Sequence, residues 1–259
     1  MKITILGSGT SQGVPVIGCE CEVCQSTNPK DHRLRVSILV QANGKNIVID
    51  SGPDFRQQML RAGIQKLDAV ILTHEHNDHV IGIDDVRPFN FRQKKDIPVY
   101  AVERVQKELK ERFQYVFAEN KYPGAPSLML HTITKDKPFE IEGIPIIPIE
   151  VMHGKLPVLG FRFGDFTYIT DAFQIEPEEL KKVEGTKVLV INALHYYEHY
   201  SHFNVPQALE VIEQLRPQQA FLTHVSHHMG LADEVNKVLP DHVKLAFDTQ
   251  EIILNSNVE

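Results

Sequence analysis

The sequence predicts an α/β protein. Apolar runs of strand length recur from Ile3 to Thr223, helical patterns such as Glu103 to Phe117 stand between some of them, and several runs end in a metal-ligand residue type. The 259 residues suffice for one large domain of this class or two small ones, and the expectation is a single domain over 1–259. Apolar and charged fractions are those of an ordinary globular protein. No apolar stretch reaches the ~18 residues of a membrane span. The opening Met1-Lys2-Ile3-Thr4-Ile5-Leu6 lacks the core and cleavage site of a signal peptide, so a cytoplasmic protein with no membrane partner is expected. A net charge of −7 disfavours a nucleic-acid partner, which calls for a basic footprint.

In chain order, Ile3 to Leu6 reads as a first strand, followed by Gly7-Ser8-Gly9-Thr10-Ser11-Gln12-Gly13. The glycines allow positive φ and close backbone approach. The Lys of a P-loop and the spacing of a dinucleotide fingerprint are missing, so a tight turn and a phosphate contact both stay open. A Cys-rich loop at about 17–30 holds all three cysteines, Cys19, Cys21 and Cys24. An odd number packed so closely makes a poor disulfide framework, and a reducing cytoplasm keeps thiols free. Three thiolates at this spacing suit a structural zinc that takes a fourth ligand from elsewhere. Leu34 to Val40 and Asn46 to Ile49 read as a hairpin turned at Asn43-Gly44. A short helix to about Ala62 is ended by Gly63. Asp50, at a strand end, is either a helix cap or a hydrogen-bond partner for a metal-bound histidine.

The centre of the chain is Asp68 to His79. Ala69 to Leu72 reads as a buried strand, and His74, His76, Asp78 and His79 follow at once. On a helix, side chains two apart point about 200° away from each other, so His74 and His76 could not share an ion there. In an extended segment residues two apart share a face, which brings His74, His76 and Asp78 together. His79 breaks the alternation, so the chain must turn at Asp78, with a helix from about Val80. Imidazole with carboxylate suits zinc, manganese or iron rather than calcium.

The segment 84–135 is richer in aromatics, with Phe89, Phe91, Phe113, Tyr115, Phe117 and Tyr122. It reads as an insertion whose helix, Glu103 to Phe117, packs by its aromatics; a substrate lid or the contact of a homodimer is the alternative. The second half repeats one device. Ile144 to Met152 runs into His153, Phe166 to Thr170 into Asp171, and Ala220 to Thr223 into His224. Ligands at strand ends along one rim of a sheet converge on one cleft. These three and the central four make seven, enough for two ions with a shared carboxylate.

Thr73-His74-Glu75-His76-Asn77-Asp78-His79, with His153, Asp171 and His224 downstream, resembles the H-x-H-x-D-H signature and later ligands of the metallo-β-lactamase superfamily. The resemblance implies an α/β fold of a particular kind, a four-layered αβ/βα sandwich. It also implies that His74, His76 and His153 hold one metal, that Asp78, His79 and His224 hold the other, and that Asp171 bridges them. The opening Gly7 to Pro15, followed by Gly18-Cys19-Glu20-Cys21 and Cys24, resembles the PhnP-like phosphoribosyl cyclic phosphodiesterases within that superfamily. There the matching His227 completes the structural zinc site, and the proposed proton donor falls in a motif matching Ser201-His202-Phe203-Asn204. The sequence departs from the family at Asn192, where Asp would be expected.

The resemblance and the residues together imply a phosphodiesterase with two catalytic divalent metals, manganese or zinc, and one structural zinc. Two metals roughly 3.5 to 4 Å apart generate hydroxide at neutral pH and clamp a phosphoryl group. The expected substrate is a small cyclic phosphodiester such as 5-phosphoribosyl 1,2-cyclic phosphate. Asp78 and Asp171 act through the metals. His202, as imidazolium, is the candidate to protonate the leaving alkoxide, with His195 and His199 as substitutes. Arg87, by position alone, is a candidate for a second phosphate. An RNA-processing nuclease of ribonuclease Z type and a non-enzymatic metal-binding module are the other readings.

Overall fold

The computed structural model describes residues 1–254; residues 255–259, the end of the expected domain, lie outside the described residues. Strands β1 (Lys2–Gly7), β2 (Ser37–Ala42), β3 (Lys45–Ile49), β4 (Ala69–Ile71), β5 (Ile97–Ala101) and β6 (Leu128–Thr132) lie side by side in a first sheet. A second sheet contains β7 (Phe139–Ile141), β8 (Ile144–His153), β9 (Leu156–Phe163), β10 (Phe166–Ile169), β11 (Val188–Asn192), β12 (Gln219–Thr223) and β13 (Val243–Leu245). The chain then returns, and β14 (Glu251–Ile253) pairs antiparallel with β1. The helices are α1 (Phe55–Ala62), α2 (Asn77–Val80), α3 (Arg87–Gln93), α4 (Glu103–Arg112), α5 (Gln114–Phe117), α6 (Pro177–Lys181), α7 (Val205–Leu215) and α8 (Ala232–Val238).

Alternation along the strands explains the stacking. Ile3 and Ile5 of β1, Ile38 and Val40 of β2, and Ile47 and Ile49 of β3 share one face. They pack in one cluster with Phe161, Phe163, Tyr168 and Val190 of the other sheet. The intervening Leu39, Val48 and Val70 pack instead with Phe55, Val105 and Leu109 of the helices. On the far side Leu189, Ile191 and Leu222 pack with Ala208 and Ile212 of α7 and Val235 of α8. Helix on sheet, sheet on sheet and sheet on helix make three apolar interfaces, hence the four-layered αβ/βα sandwich.

The hairpin turns at Asn43-Gly44 and Gly63 ends α1 in the left-handed conformation, both as expected. Three expectations change. The helix expected from Val80 begins at Asn77, where neighbouring backbone closes the turn: Ser51 N–H donates to His79 O (2.7 Å) and Gly82 N–H to Ser51 O (2.8 Å). The pattern over Glu103 to Phe117 splits, because Phe113 leaves helical geometry at φ −113° and ψ 47°. The segment 84–135 is no appendage: it supplies β5 and β6 of the first sheet and buries Phe89 and Phe113, while Phe91, Tyr115 and Tyr122 stay exposed. Among the described residues no helix is long and apolar enough to cross a membrane.

Residues 50–52 lie directly against the central motif. A Cβ on Gly52 would stand 1.9 Å from Asp78 O, and one on Gly82 would stand 2.0 Å from Gly52 O. Both obstacles are backbone, so neither can swing aside. Gly82→Ala should therefore destabilise the protein by about 1–3 kcal/mol, the usual cost of overpacking. Thermal unfolding measures it, and an unchanged midpoint would contradict this account.

Candidate active site

Strand ends deliver the site. β3 pairs parallel with β4, and β10, β11 and β12 are mutually parallel, so their C-terminal ends form one rim in each sheet. Backbone hydrogen bonds stitch the two rims together: Leu159 N–H to Thr73 O, Thr10 N–H to Val225 O, and Val225 N–H to Ser8 O. Asp50, Asp171 and His224 follow β3, β10 and β12 with φ of 64°, 60° and 57°. The left-handed region is uncommon for residues other than glycine and costs on the order of 1–3 kcal/mol each. Here it turns three side chains inward at strand ends.

The seven predicted residues come together. Donor atoms of His74, His76 and His153 lie within 4.8 Å of one another, as do those of Asp78, His79 and His224. Asp171 forms a third such group with His74 and His79 and is 3.2 Å from His224 Nε2, so it stands between the two sets.

Hydrogen bonds decide which nitrogen of each ring faces inward. His79 Nδ1–H donates to Asp50 Oδ2 at 2.7 Å. His74 Nδ1 lies 2.9 Å from Thr73 Oγ1, whose hydroxyl is engaged by Asp50. His153 Nδ1–H donates to Ser201 O at 2.9 Å. In each ring Nε2 is left for the cleft, as in metal-ligating histidines generally. Asp50 is thus the orienting partner, not a helix cap. Buried His79 Nε2 and His224 Nε2 have no hydrogen-bond partner among the described residues. His79 Nε2 instead faces Asp78 Oδ2 at 3.2 Å and Asp171 Oδ2 at 3.3 Å.

Charge points the same way. Burial opposes a charged His79, but Asp171, Asp78 and Asp50 outweigh it and raise its pKa well above the usual histidine range. Burial opposes ionised Asp78 and Asp171 too, yet the imidazoles around them hold both below the carboxylate range. The cluster stabilises positive charge between its carboxylates. With its orphaned nitrogens, it fits a pair of divalent ions of the zinc, manganese or iron kind.

Cys19, Cys21 and Cys24 Sγ lie 3.3, 3.4 and 3.5 Å from His227 Nδ1, a set of four donors suited to tetrahedral zinc. His227 follows His224 closely, so the cysteine loop is tied to the end of β12. The Cys24 backbone N–H lowers the Cys21 thiol to about 6, while burial pushes Cys24 up to about 11.

His202 departs from expectation. Its ring lies 4.6 Å from that of His153 and 4.7 Å from that of His224, and burial, then His224, push its pKa down to about 2. Burial thus works against the imidazolium form expected of it. Its donor atom also falls within 4.8 Å of those of His153 and Asp171, beside the ligand set rather than apart from it. His199 lines the cleft, whereas His195 lies outside the lining and accepts from Tyr197 N–H. Arg87 pairs with Asp84 at 2.7 Å and does not line the cleft, so it is not placed to hold a phosphate there. Thr10 and Ser11 do line it, which gives the glycine loop a place in the site. Asn192 brackets Ala172, accepting from its N–H (2.7 Å) and donating to its C=O (2.9 Å). An amide does both; a carboxylate could only accept.

Sequence reasoning missed Glu75, Arg104 and Arg112. Arg104 pairs with Glu75 at 3.0 Å and donates to Pro157 O at 2.7 Å. It therefore joins the turn between His74 and His76 to β9, the partner of the strand carrying His153. Arg112 donates to Glu75 O and to Asn77 Oδ1. No local pattern marks an arginine that acts from another helix.

A two-sheet sandwich with these donors on its rim defines a metallo-β-lactamase fold, and comparisons with known proteins agree. The family model for the beta-lactamase superfamily domain matches residues 45–225. A solved structure described as a diphosphatase from the PhnP family superposes with a TM-score of 0.91 at 38% identity, covering 98% of each chain. The octanoyltransferase of Porphyromonas gingivalis is 43% identical over 257 residues, 98% of this chain but 52% of that protein. This chain therefore spans about half of that relative, and the activity in its name does not transfer with the match. Ribonuclease Z of Bradyrhizobium diazoefficiens is 42% identical over 72 residues, 27% of this chain and 24% of that protein. The chain belongs to the metallo-β-lactamase superfamily and, within it, to the PhnP family.

Two outcomes follow for the metal sites. Cys21→Ser should lower thermal stability and remove one ion of about three per chain, because a structural zinc contributes folding energy directly. Unchanged metal content and midpoint would refute the zinc site. Arg104→Ala should weaken metal binding at the histidine cluster by about 10–100-fold without removing a ligand, the usual effect of losing an outer partner. Competition with a chelator measures this, and wild-type affinity would show Arg104 to be irrelevant to the site.

Proposed function

We propose that the protein is a dinuclear metal-dependent hydrolase of small phosphodiesters, with a cyclic sugar phosphate such as 5-phosphoribosyl 1,2-cyclic phosphate as the leading substrate. The observation that carries this is the seven-donor cluster with Asp171 between its two halves. Bound divalent ions would supply an activated water and neutralise charge on the phosphoryl oxygens. The protein's part is positional. Asp50, Thr73 and Ser201 hold the rings of His79, His74 and His153 with Nε2 inward, and Thr10 and Ser11 form part of the cleft wall.

His202, whose ring lies 4.6 Å from His153 and 4.7 Å from His224, is the proton donor in this reading, with burial working against its charged form. A neutral imidazole N–H also hydrogen-bonds to charge developing on an oxygen, as neutral histidine polarises a carbonyl in triosephosphate isomerase. The cleft, about 330 Å³, is at the small end of ligand pockets. Size and the net charge of −7 favour a small phosphorylated molecule over RNA. The three free thiols suit a reducing cytoplasm. A second reading, hydrolysis of a diphosphate, is favoured by the description of the 38% identical structure.

Turnover of a cyclic sugar phosphate, a linear phosphodiester, a sugar diphosphate and a tRNA precursor by metal-loaded protein separates these readings. Asp171→Ala should abolish activity, and failure to turn over any of the four would refute the proposal. His202→Ala should reduce kcat by roughly 10²- to 10⁴-fold on a cyclic sugar phosphate. It should be hurt far less on a p-nitrophenyl ester, whose leaving group scarcely needs a proton. Equal losses on both would give His202 a structural role, and loss of metal would make it a ligand.

A further inference from the structure

Two cavities meet at the candidate site. One is the polar cleft, walled by Asp78, Asp171, His202 and His224. The other, about 650 Å³, shares His76, His153, Tyr200 and Ser201 with it, but its remaining lining is Gly154, Lys155, Leu156 and Phe173. This second chamber has no carboxylate in its lining. Its own walls carry the side chains of Leu156, Phe173 and Lys155, and the Tyr200 ring borders both cavities.

The chamber is built rather than incidental. The turn between β8 and β9 packs Gly154 against Ser201, where a Cβ would stand 3.4 Å from the serine Cβ and 3.6 Å from Tyr200 O. The His153–Ser201 hydrogen bond fastens the same contact. The Tyr200 backbone is thus held while its ring stands 81% exposed at the rim. Tyr196 and Tyr197 are exposed on the same loop, and clustered exposed aromatics beside a site are a mark of ligand contact.

A phosphodiester centred on the cluster carries two arms. An arm directed past His76 and His153 enters this chamber, whose polar side chains are those two, Lys155, Ser201 and the Tyr200 hydroxyl. A planar ring there would meet Leu156, Phe173 and the Tyr200 ring along the apolar part of the wall. We propose that the chamber is a subsite for a planar aromatic ring on the arm of the phosphodiester that is not expelled. This rests on the phosphodiesterase reading and extends its substrate class beyond cyclic sugar phosphates to acyclic esters that bear a ring, whether a nucleobase or an aryl group.

The test compares esters with one leaving group and different retained arms: bis(p-nitrophenyl) phosphate, thymidine 5′-(p-nitrophenyl phosphate) and methyl p-nitrophenyl phosphate. Ring stacking of the usual strength corresponds to about a 10-fold or greater effect. Tyr200→Ala should lower kcat/KM for the ring-bearing esters by that factor more than for the methyl ester, and Tyr200→Phe should restore the difference. Taking ratios of variant to wild type cancels the esters' intrinsic reactivities. A loss on the thymidine ester alone would identify a nucleobase site, and a loss on the bis-aryl ester alone an aryl site. Equal losses on all three would overturn the subsite. Should none of the esters be hydrolysed, the phosphodiesterase reading fails by itself. Binding of phenylphosphonate and methylphosphonate to the metal-loaded protein then decides the subsite: about 10-fold tighter phenyl binding, lost in Tyr200→Ala, supports it, and equal binding overturns it.

Discussion

The buried carboxylate of Asp50 is the contact on which the site depends. It accepts from the Thr73 backbone N–H and hydroxyl and from the His79 ring, all out of contact with water. An isolated charge there would be costly; these donors offset part of that cost, and burial still raises the Asp50 pKa above the usual carboxylate range. They also set the ring of His79 directly and, through the Thr73 hydroxyl, the ring of His74. One residue after β3 thus orients two side chains that follow β4.

That arrangement requires the two strands to run parallel with their ends level, and the three apolar interfaces supply this. Ile47 and Ile49 lock β3 against the opposite sheet while Val48 faces the helices. The strand has no freedom to slip by one residue, because slipping would exchange every face. The strained backbones at Asp50, Asp171 and His224 persist because the strands before them are held so firmly. Strain localised at a rim of ligand-type residues is what a pre-organised site costs.

The cluster is also asymmetric. Its polar side gathers Thr10, Ser11, His199 and His202, and its apolar side opens on Leu156, Phe173 and Tyr200. Gly154, Lys155 and Leu156 of the second side follow His153 at the turn from β8 into β9, while Phe173 and Tyr200 come from later loops. One metal-type donor and part of the apolar wall thus share a hairpin, which Arg104 ties to the loop of His74 and His76.

Much was legible in the sequence. Spacing placed His74 and His76 together on one face of an extended segment, because a period of two is a local property of the strand; Asp78 instead lies in α2 and joins His79 and His224. The strand runs before His153, Asp171 and His224 were visible for the same reason. Ionisation and cross-chain contacts were not. Nothing near His202 in sequence shows that His153 and His224 will lie against it and that burial will disfavour its charged form. Nothing near Arg104 shows that it will reach Glu75 and Pro157, and nothing in Asn192 shows that it will grip the backbone beyond Asp171. By itself the sequence determined which residues could bind metal and which strands would carry them, since donor chemistry and strand period are local. Only the tertiary structure decided which nitrogen of His74, His79 and His153 faces the cleft, in which direction burial and neighbours push each histidine's pKa, and that an apolar chamber adjoins them. Those follow from burial and from partners distant in the chain, and both exist only once the two sheets have met.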